Sequence, residues 1–112
     1  MLWQEMEKRN TDFVFTASGI TVDIDNATVV KNGENIYLSM LEYRILLILV
    51  KNAGQVVPRK TILESISYGN CRYLNENTLT VYVKRIREKL GDKPNRPRVI
   101  KTVRGTGYIV EK

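Results

Sequence analysis

A chain of 112 residues, 43% of them hydrophobic and 27% charged, suffices for one domain around one core and leaves little room for a second. With one cysteine and no histidine, it excludes an internal disulfide, denies a zinc site its companions and leaves general acid–base catalysis without its usual actor. The net charge of +6 is unevenly divided: Arg72 to Lys112 holds 11 Lys/Arg against 4 Asp/Glu, whereas Met1 to Cys71 holds 7 against 8.

Residues 1–12 mix charges without a period, with acidic groups where a signal peptide would place a basic region and an apolar core, and they read as a linker or tail. The domain proper is expected over residues 13–112. Phe13–Thr16 is a short apolar run, Ile20, Val22 and Ile24 alternate with Thr21 and Asp23, and Thr28–Lys31 follows an Asn26-Ala27 turn. Asn32-Gly33 is the strongest short hairpin signal and leads into Asn35–Leu38. Together these predict a four-stranded antiparallel sheet with one dry face, on which Asp23 and Asp25 are solvent-face residues rather than metal ligands. Ser39 and Glu42 then form an S-x-x-E capping box, opening a helix that runs through Ile45–Val50, apolar nearly all round and so buried, to Asn52-Ala53-Gly54. Pro58 is expected to open a second helix over Lys60–Ser67, with Ile62, Leu63 and Ile66 inward and Gly69-Asn70 as its end. Residues 70–76 read as an exposed loop in which Cys71 is a free thiol. No apolar run reaches the roughly 18 residues of a membrane span, and a cytoplasmic location is expected.

Asn75 is the predicted N-cap of a basic amphipathic helix ending at Leu90. Leu79, Val83, Ile86 and Leu90 form one narrow stripe, while Asn77, Val81, Lys84, Arg85 and Glu88 point the other way. After the turn Gly91–Pro97 comes a hairpin, Val99–Val110, with its tip at Arg104-Gly-Thr-Gly107. The two glycines permit a sharp reversal and close backbone approach to a partner, so that Lys101 and Arg104 project from a narrow ribbon. A lone G-x-G implies no phosphate loop. A helix, a turn, a second helix and a ribbon, backed by a sheet, describe an α+β winged helix-turn-helix. The basic C-terminal third favours a polyanion through Coulomb attraction and counterion release. Membrane surfaces are polyanions too, but the outward helix face has no Trp, Phe or Leu row to enter a headgroup region, so nucleic acid is the better fit. No metal, cofactor or catalytic residue is expected, since neither a carboxylate cluster nor a nucleophile–base pair is suggested by spacing.

Lys84-Arg-Ile-Arg-Glu-Lys-Leu90 and Ile100-Lys-Thr-Val-Arg-Gly-Thr-Gly-Tyr108, with Leu38-Ser-Met-Leu-Glu-Tyr43 and Val56-Val-Pro-Arg59 upstream, resemble the C-terminal effector domain of OmpR/PhoB-type response regulators. The resemblance covers about residues 13–112. It implies a bacterial two-component transcription factor binding double-stranded DNA, with a helix at about 75–90 in the major groove and a wing at about 99–110 at the minor groove. It also implies a loop at about 69–75 that can face RNA polymerase, a free monomer that assembles head to tail on direct repeats, and a sensor kinase acting through a receiver domain. Such a receiver needs about as many residues again, more than the first 12 hold, so the chain reads as an excised domain or a stand-alone regulator. The candidate DNA contacts are Asn77, Thr78, Val81, Tyr82, Lys84, Arg85 and Arg87 on the helix, and Lys101, Thr102, Arg104, Gly105 and Tyr108 on the wing. Asn77 and Tyr82 stand where the family often has an arginine and a histidine that touch DNA, Pro58 stands for the usual Ser or Thr cap, and Tyr68 lies near the place of a frequent Trp. A different base preference is therefore expected. The competing reading is a winged-helix protein-interaction module that does not read DNA sequence.

Overall fold

The computed structural model describes residues 14–67, 76–93 and 98–112. The tail at 1–12, Tyr68, the loop at 69–75 with Cys71, and the Asn75 cap lie outside them. Strands β1 (Val14–Ala17), β2 (Ile20–Asp23), β3 (Thr28–Lys31) and β4 (Glu34–Ile36) form an antiparallel sheet in that order. The register aligns Phe15, Val22, Val29 and Ile36 in one cross-strand row, and Val22 and Val29 are buried in it. This is the dry face that the alternation predicts. Asn32 (φ 52°) and Gly33 (φ 84°) make the expected two-residue hairpin loop, both in the left-handed region that such a turn needs. Ser18-Gly19 makes a second two-residue reversal, between Ala17 and Ile20, without an Asn-Gly signal. Asp23 accepts a hydrogen bond from the Asn26 side-chain amide at 2.9 Å and steadies the longer β2–β3 turn.

Helix α1 (Met40–Lys51) begins with the capping box: the Glu42 amide donates to Ser39 Oγ at 3.3 Å, and Glu42 Oε1 accepts from the Ser39 amide at 2.8 Å. It closes at Asn52, whose backbone and side-chain amides both donate to Ile48 O. Ile45, Leu46, Leu49 and Val50 are buried, and Leu41, Leu47 and Ile48 pack around them, so the helix is apolar on most sides, as expected. Pro58 does not open the next helix. Val57–Pro58 is instead a short strand, β5, paired with β7, and helix α2 spans Arg59–Ser67. A proline fits there because β5 is an edge strand, where a missing N–H breaks no ladder bond. Helix α3 (Glu76–Leu90) precedes the hairpin β6 (Ile100–Val103) and β7 (Gly107–Val110), so the wing is a three-stranded sheet in the order β5-β7-β6. Helix α1 packs on α2, α3, β1 and β7, and the core, including Ile20, Ile45, Leu49, Ile62, Ile86 and Ile100, lies between the two sheets and the helices.

Glu42 is 3% exposed and accepts from Lys89 Nζ on α3 at 2.6 Å. Burial raises its pKa. The hydrogen bonds from Lys89 and the Ser39 amide, with the Lys89 charge, outweigh that and hold the carboxyl below its ordinary value. A carboxyl with a depressed folded-state pKa stabilises the fold above its unfolded value, about pH 4.3, and that contribution is lost as pH falls through the folded value. Glu42→Gln is therefore expected to lose about 1.5–3 kcal/mol at pH 7, with the gap to the parent closing below about pH 4. Urea unfolding of both proteins from pH 7 to 3 checks this, and a gap that does not narrow as pH falls would show that the charge is not what stabilises.

Candidate nucleic-acid interface

Helix α3 presents its apolar stripe to the core: Leu79 and Ile86 are fully buried, Val83 is 1% exposed and Leu90 3%. Both flanks beside this stripe are tied to other elements. On one, Lys89 reaches Glu42 on α1 and Tyr82, half-buried, packs against the core. On the other, Thr80 Oγ1 accepts from Arg59 Nη2 at 2.8 Å, and Arg87 donates from Nε and Nη2 to Ile100 O at 3.1 and 2.8 Å. Arg87 Nη2 also meets Thr102 Oγ1 at 2.8 Å. Thr80 and Arg87, seven residues apart, share a face, and that face meets Arg59 on α2 and the wing strand β6. Past the C-terminus of α3, Lys31 on β3 donates from Nζ to Leu90 O at 2.5 Å, satisfying a carbonyl at the negative end of the helix. What remains is an exposed arc of Asn77, Val81, Lys84, Arg85 and Glu88. Val81 is 45% exposed at its centre, and the Arg85 guanidinium lies 5.5 Å from the centroid of the Tyr82 ring. Thr78 is half-buried, on the same flank as Tyr82.

On the wing, Arg104 is exposed beside Gly105, whose φ of 77° makes the tip. The turn closes through Thr106 N to Val103 O at 2.9 Å. Lys101 pairs with Glu111 at 3.2 Å, and Thr102 is exposed. Two expectations for this ribbon need correction. Tyr108 is not a surface hydroxyl: it is 3% exposed, its oxygen accepts from Arg59 Nη1 at 2.7 Å, and the Arg59 and Arg87 guanidinium carbons lie 5.5 and 5.9 Å from its ring centroid. Gly107 allows close approach, but of the chain's own strand. A Cβ there would stand 2.0 Å from Val57 O, so the glycine is what lets β5 pair with β7. Arg87 likewise turns to the wing backbone and away from the exposed arc.

Arg59 and Asp92 were not singled out in the sequence. Asp92 is 5% exposed and its carboxylate accepts from three successive amides: Arg98 at 2.6 Å, Val99 at 3.1 Å and Ile100 at 3.0 Å. It thereby joins the end of α3 to the start of β6. The sequence signal was only a turn-forming residue after Gly91.

The family described as "Transcriptional regulatory protein, C terminal" matches residues 33–110. The chain belongs to this family. Among solved structures it is similar to the Thermotoga maritima response regulator DrrB, an OmpR/PhoB homolog, with a TM-score of 0.78 and 35% identity over 89% of this chain and 45% of that one. It is similar also to the Klebsiella pneumoniae RstA DNA-binding domain, solved in complex with the RstA box, with a TM-score of 0.75 and 31% identity over 88% of this chain and 96% of that one. The probable transcriptional regulator ycf27 of Galdieria sulphuraria is 39% identical over 88% of this chain, and the regulatory protein VanRc of Enterococcus gallinarum 36% over 88%. The chain spans 41% and 42% of the lengths of those two regulators. As a winged-helix effector domain of OmpR/PhoB type it belongs to a transcription-factor family, not an enzyme family. Among its described residues no helix is long and apolar enough to cross a membrane.

In this effector domain the Asp92 carboxylate is the root of the wing. Asp92→Ala leaves the Val99 and Ile100 amides buried without an acceptor, at about 1–3 kcal/mol for an unsatisfied group. We expect a loss of that size in denaturant unfolding and faster hydrogen exchange at Val99 and Ile100 than at Ile45 in α1. Equal exchange at the two sites would show that the carboxylate does not hold the wing.

Proposed function

We propose that this domain is the DNA-reading part of a two-component transcriptional regulator and binds duplex DNA sequence-specifically, with α3 in the major groove and the β6–β7 tip at the minor groove. The observation that carries the reading is the exposed arc of Asn77, Val81, Lys84 and Arg85 on a helix whose flanks are bonded to the rest of the domain. A helix held in this way can offer the same side chains in the same order to base edges. The RstA domain, whose structure was solved with the RstA box, supports the reading by likeness.

Within it, Val81 packs on a thymine methyl, and Arg85, stacked by Tyr82, reaches guanine O6 and N7, while Lys84 and Thr78 meet phosphates. Tyr82 and Asn77 border these contacts, and Arg87 and Tyr108 act as supports. Thr102, Gly105 and Lys101 line the approach to Arg104, which enters a narrow minor groove. Two copies sit head to tail on direct repeats about 10–10.5 bp apart, one helical turn, so that each meets the same groove face. The segment at about 69–75 meets RNA polymerase, and a sensor kinase acts through a receiver domain in the longer regulator.

Selection from a random duplex pool, followed by footprinting, supplies the probe and tests the repeat; a single unrepeated site or an inverted palindrome counts against the assembly. Val81→Ala and Arg85→Ala should each lose about 1–3 kcal/mol of discrimination between selected and scrambled duplex. Unchanged ratios in both would remove α3 from the major groove. Arg104→Ala should weaken binding to all duplexes, more so at A·T-rich wing flanks, and make the slope of log affinity against log salt shallower by about 0.9 if one phosphate contact is lost. Unchanged affinity and slope on both A·T-rich and G·C-rich flanks would take the wing off the DNA and favour a protein-interaction module.

A further inference from the structure

We infer that Arg59 is a positioning residue that couples the recognition helix to the wing, so that the two grooves are read as one unit. The inference rests on the DNA reading above. Arg59 is the first residue of α2, and its guanidinium bridges two elements: Nη1 to the Tyr108 hydroxyl on β7 at 2.7 Å and Nη2 to Thr80 Oγ1 on α3 at 2.8 Å. Its own backbone N–H donates to Thr106 O at 3.2 Å, in the turn that carries Arg104. One residue therefore touches α3 beside Val81, the ring at the base of the wing, and the wing tip.

The chemistry suits arginine in particular. A planar fork donates from two nitrogens in fixed relative directions, whereas a lysine ammonium is a point charge on a flexible stem. With both terminal nitrogens already donating to hydroxyls, the guanidinium sets the spacing of Thr80 and Tyr108, and through them the placement of Val81 and Arg104. The side chain is half-buried, and both its terminal nitrogens are engaged within the domain. Arg87 makes a second tie, from α3 to β6, but it has no link to α2 among the bonds described.

The test uses the duplex selected by the parent and a scrambled control, at a temperature well below the melting point of every variant. Arg59→Lys, Arg59→Met and Thr80→Val should each bind the selected duplex about tenfold more weakly, with little change on the scrambled control and an unchanged salt slope. In the Arg59→Met background, Arg104→Ala should cost clearly less than in the parent, because the wing is no longer held in register. A salt slope shallower by about 0.9 in Arg59→Met would make Arg59 a phosphate contact and overturn the inference. A lowered melting point with unchanged discrimination, or strict additivity with Arg104→Ala, would reduce Arg59 to a structural support and overturn it as well. A parent that recovers no preferred duplex would overturn the DNA reading itself, which separates that failure from this one.

Discussion

Burial of Leu79, Val83, Ile86 and Leu90 along one side of α3 fixes the rotation of that helix, and the chemistry of the domain follows from it. Fully burying an aliphatic side chain contributes about 1.5–3 kcal/mol, so four of them amount to roughly 6–12 kcal/mol, comparable to the whole net stability of about 5–15 kcal/mol of a small domain. Turning the helix by one residue would forfeit most of that. With rotation settled, the flanking positions are settled too: Lys89 and Tyr82 face α1 and the core, while Thr80 meets Arg59 on α2 and Arg87 faces the wing. The exposed arc is what packing leaves over. Its composition is therefore open to change in a way that the stripe is not.

The same geometry divides the basic residues between two tasks. The segment from Arg72 to Lys112 holds 11 Lys/Arg, but Arg87, Lys89 and Lys101 among them donate to groups of this chain. Arg59 and Lys31, upstream, do likewise. These cations still contribute to the long-range potential that draws in a polyanion, because a charge acts through space whatever it bonds. Each also has a bond within the domain to break or share before it can neutralise a phosphate at short range. The long-range field and the contact count thus come from different, overlapping sets of residues, which a net charge alone does not distinguish.

Local chemistry made much of this legible in the sequence. The Asn32-Gly33 loop, the Ser39–Glu42 box and the stripe on α3 each depend on residues a few positions apart, and all three stand as expected. The arc of Asn77, Val81, Lys84, Arg85 and Glu88 followed from the same period. Strand β5 was not legible, because two residues carry no alternation and Pro58 reads as a helix start; the pairing that creates the strand comes from Tyr108 and Gly107, far along the chain. Gly107 shows the same limit, since a glycine signals close approach without naming what approaches. The inward roles of Arg59, Arg87 and Tyr108 were hidden for another reason. Long amphipathic side chains bury their bodies and direct their polar ends by tertiary context, so periodicity does not report where a guanidinium or a phenol ends up. Asp92 needed three amides that only the folded turn assembles.

Asn77 and Tyr82 differ from the residues that the OmpR/PhoB pattern often places there, and the structure separates the consequences. Asn77 stands on the exposed arc, so the residue chosen there changes the outward face of the helix without touching the core. Tyr82 is half-buried, packs on the core and lies under Arg85, so it shapes the arc from beneath. A cation over an aromatic face gains about 0.5–1 kcal/mol at an exposed site, enough to restrict Arg85 before any partner arrives. Ordering a long side chain in advance lowers the entropy lost on binding. The chain contains no histidine, hence no imidazole, whose charge ordinarily changes between about pH 5 and 8. The Tyr82 ring beneath Arg85 thus orders the arc by geometry, with no imidazole to make that order depend on pH.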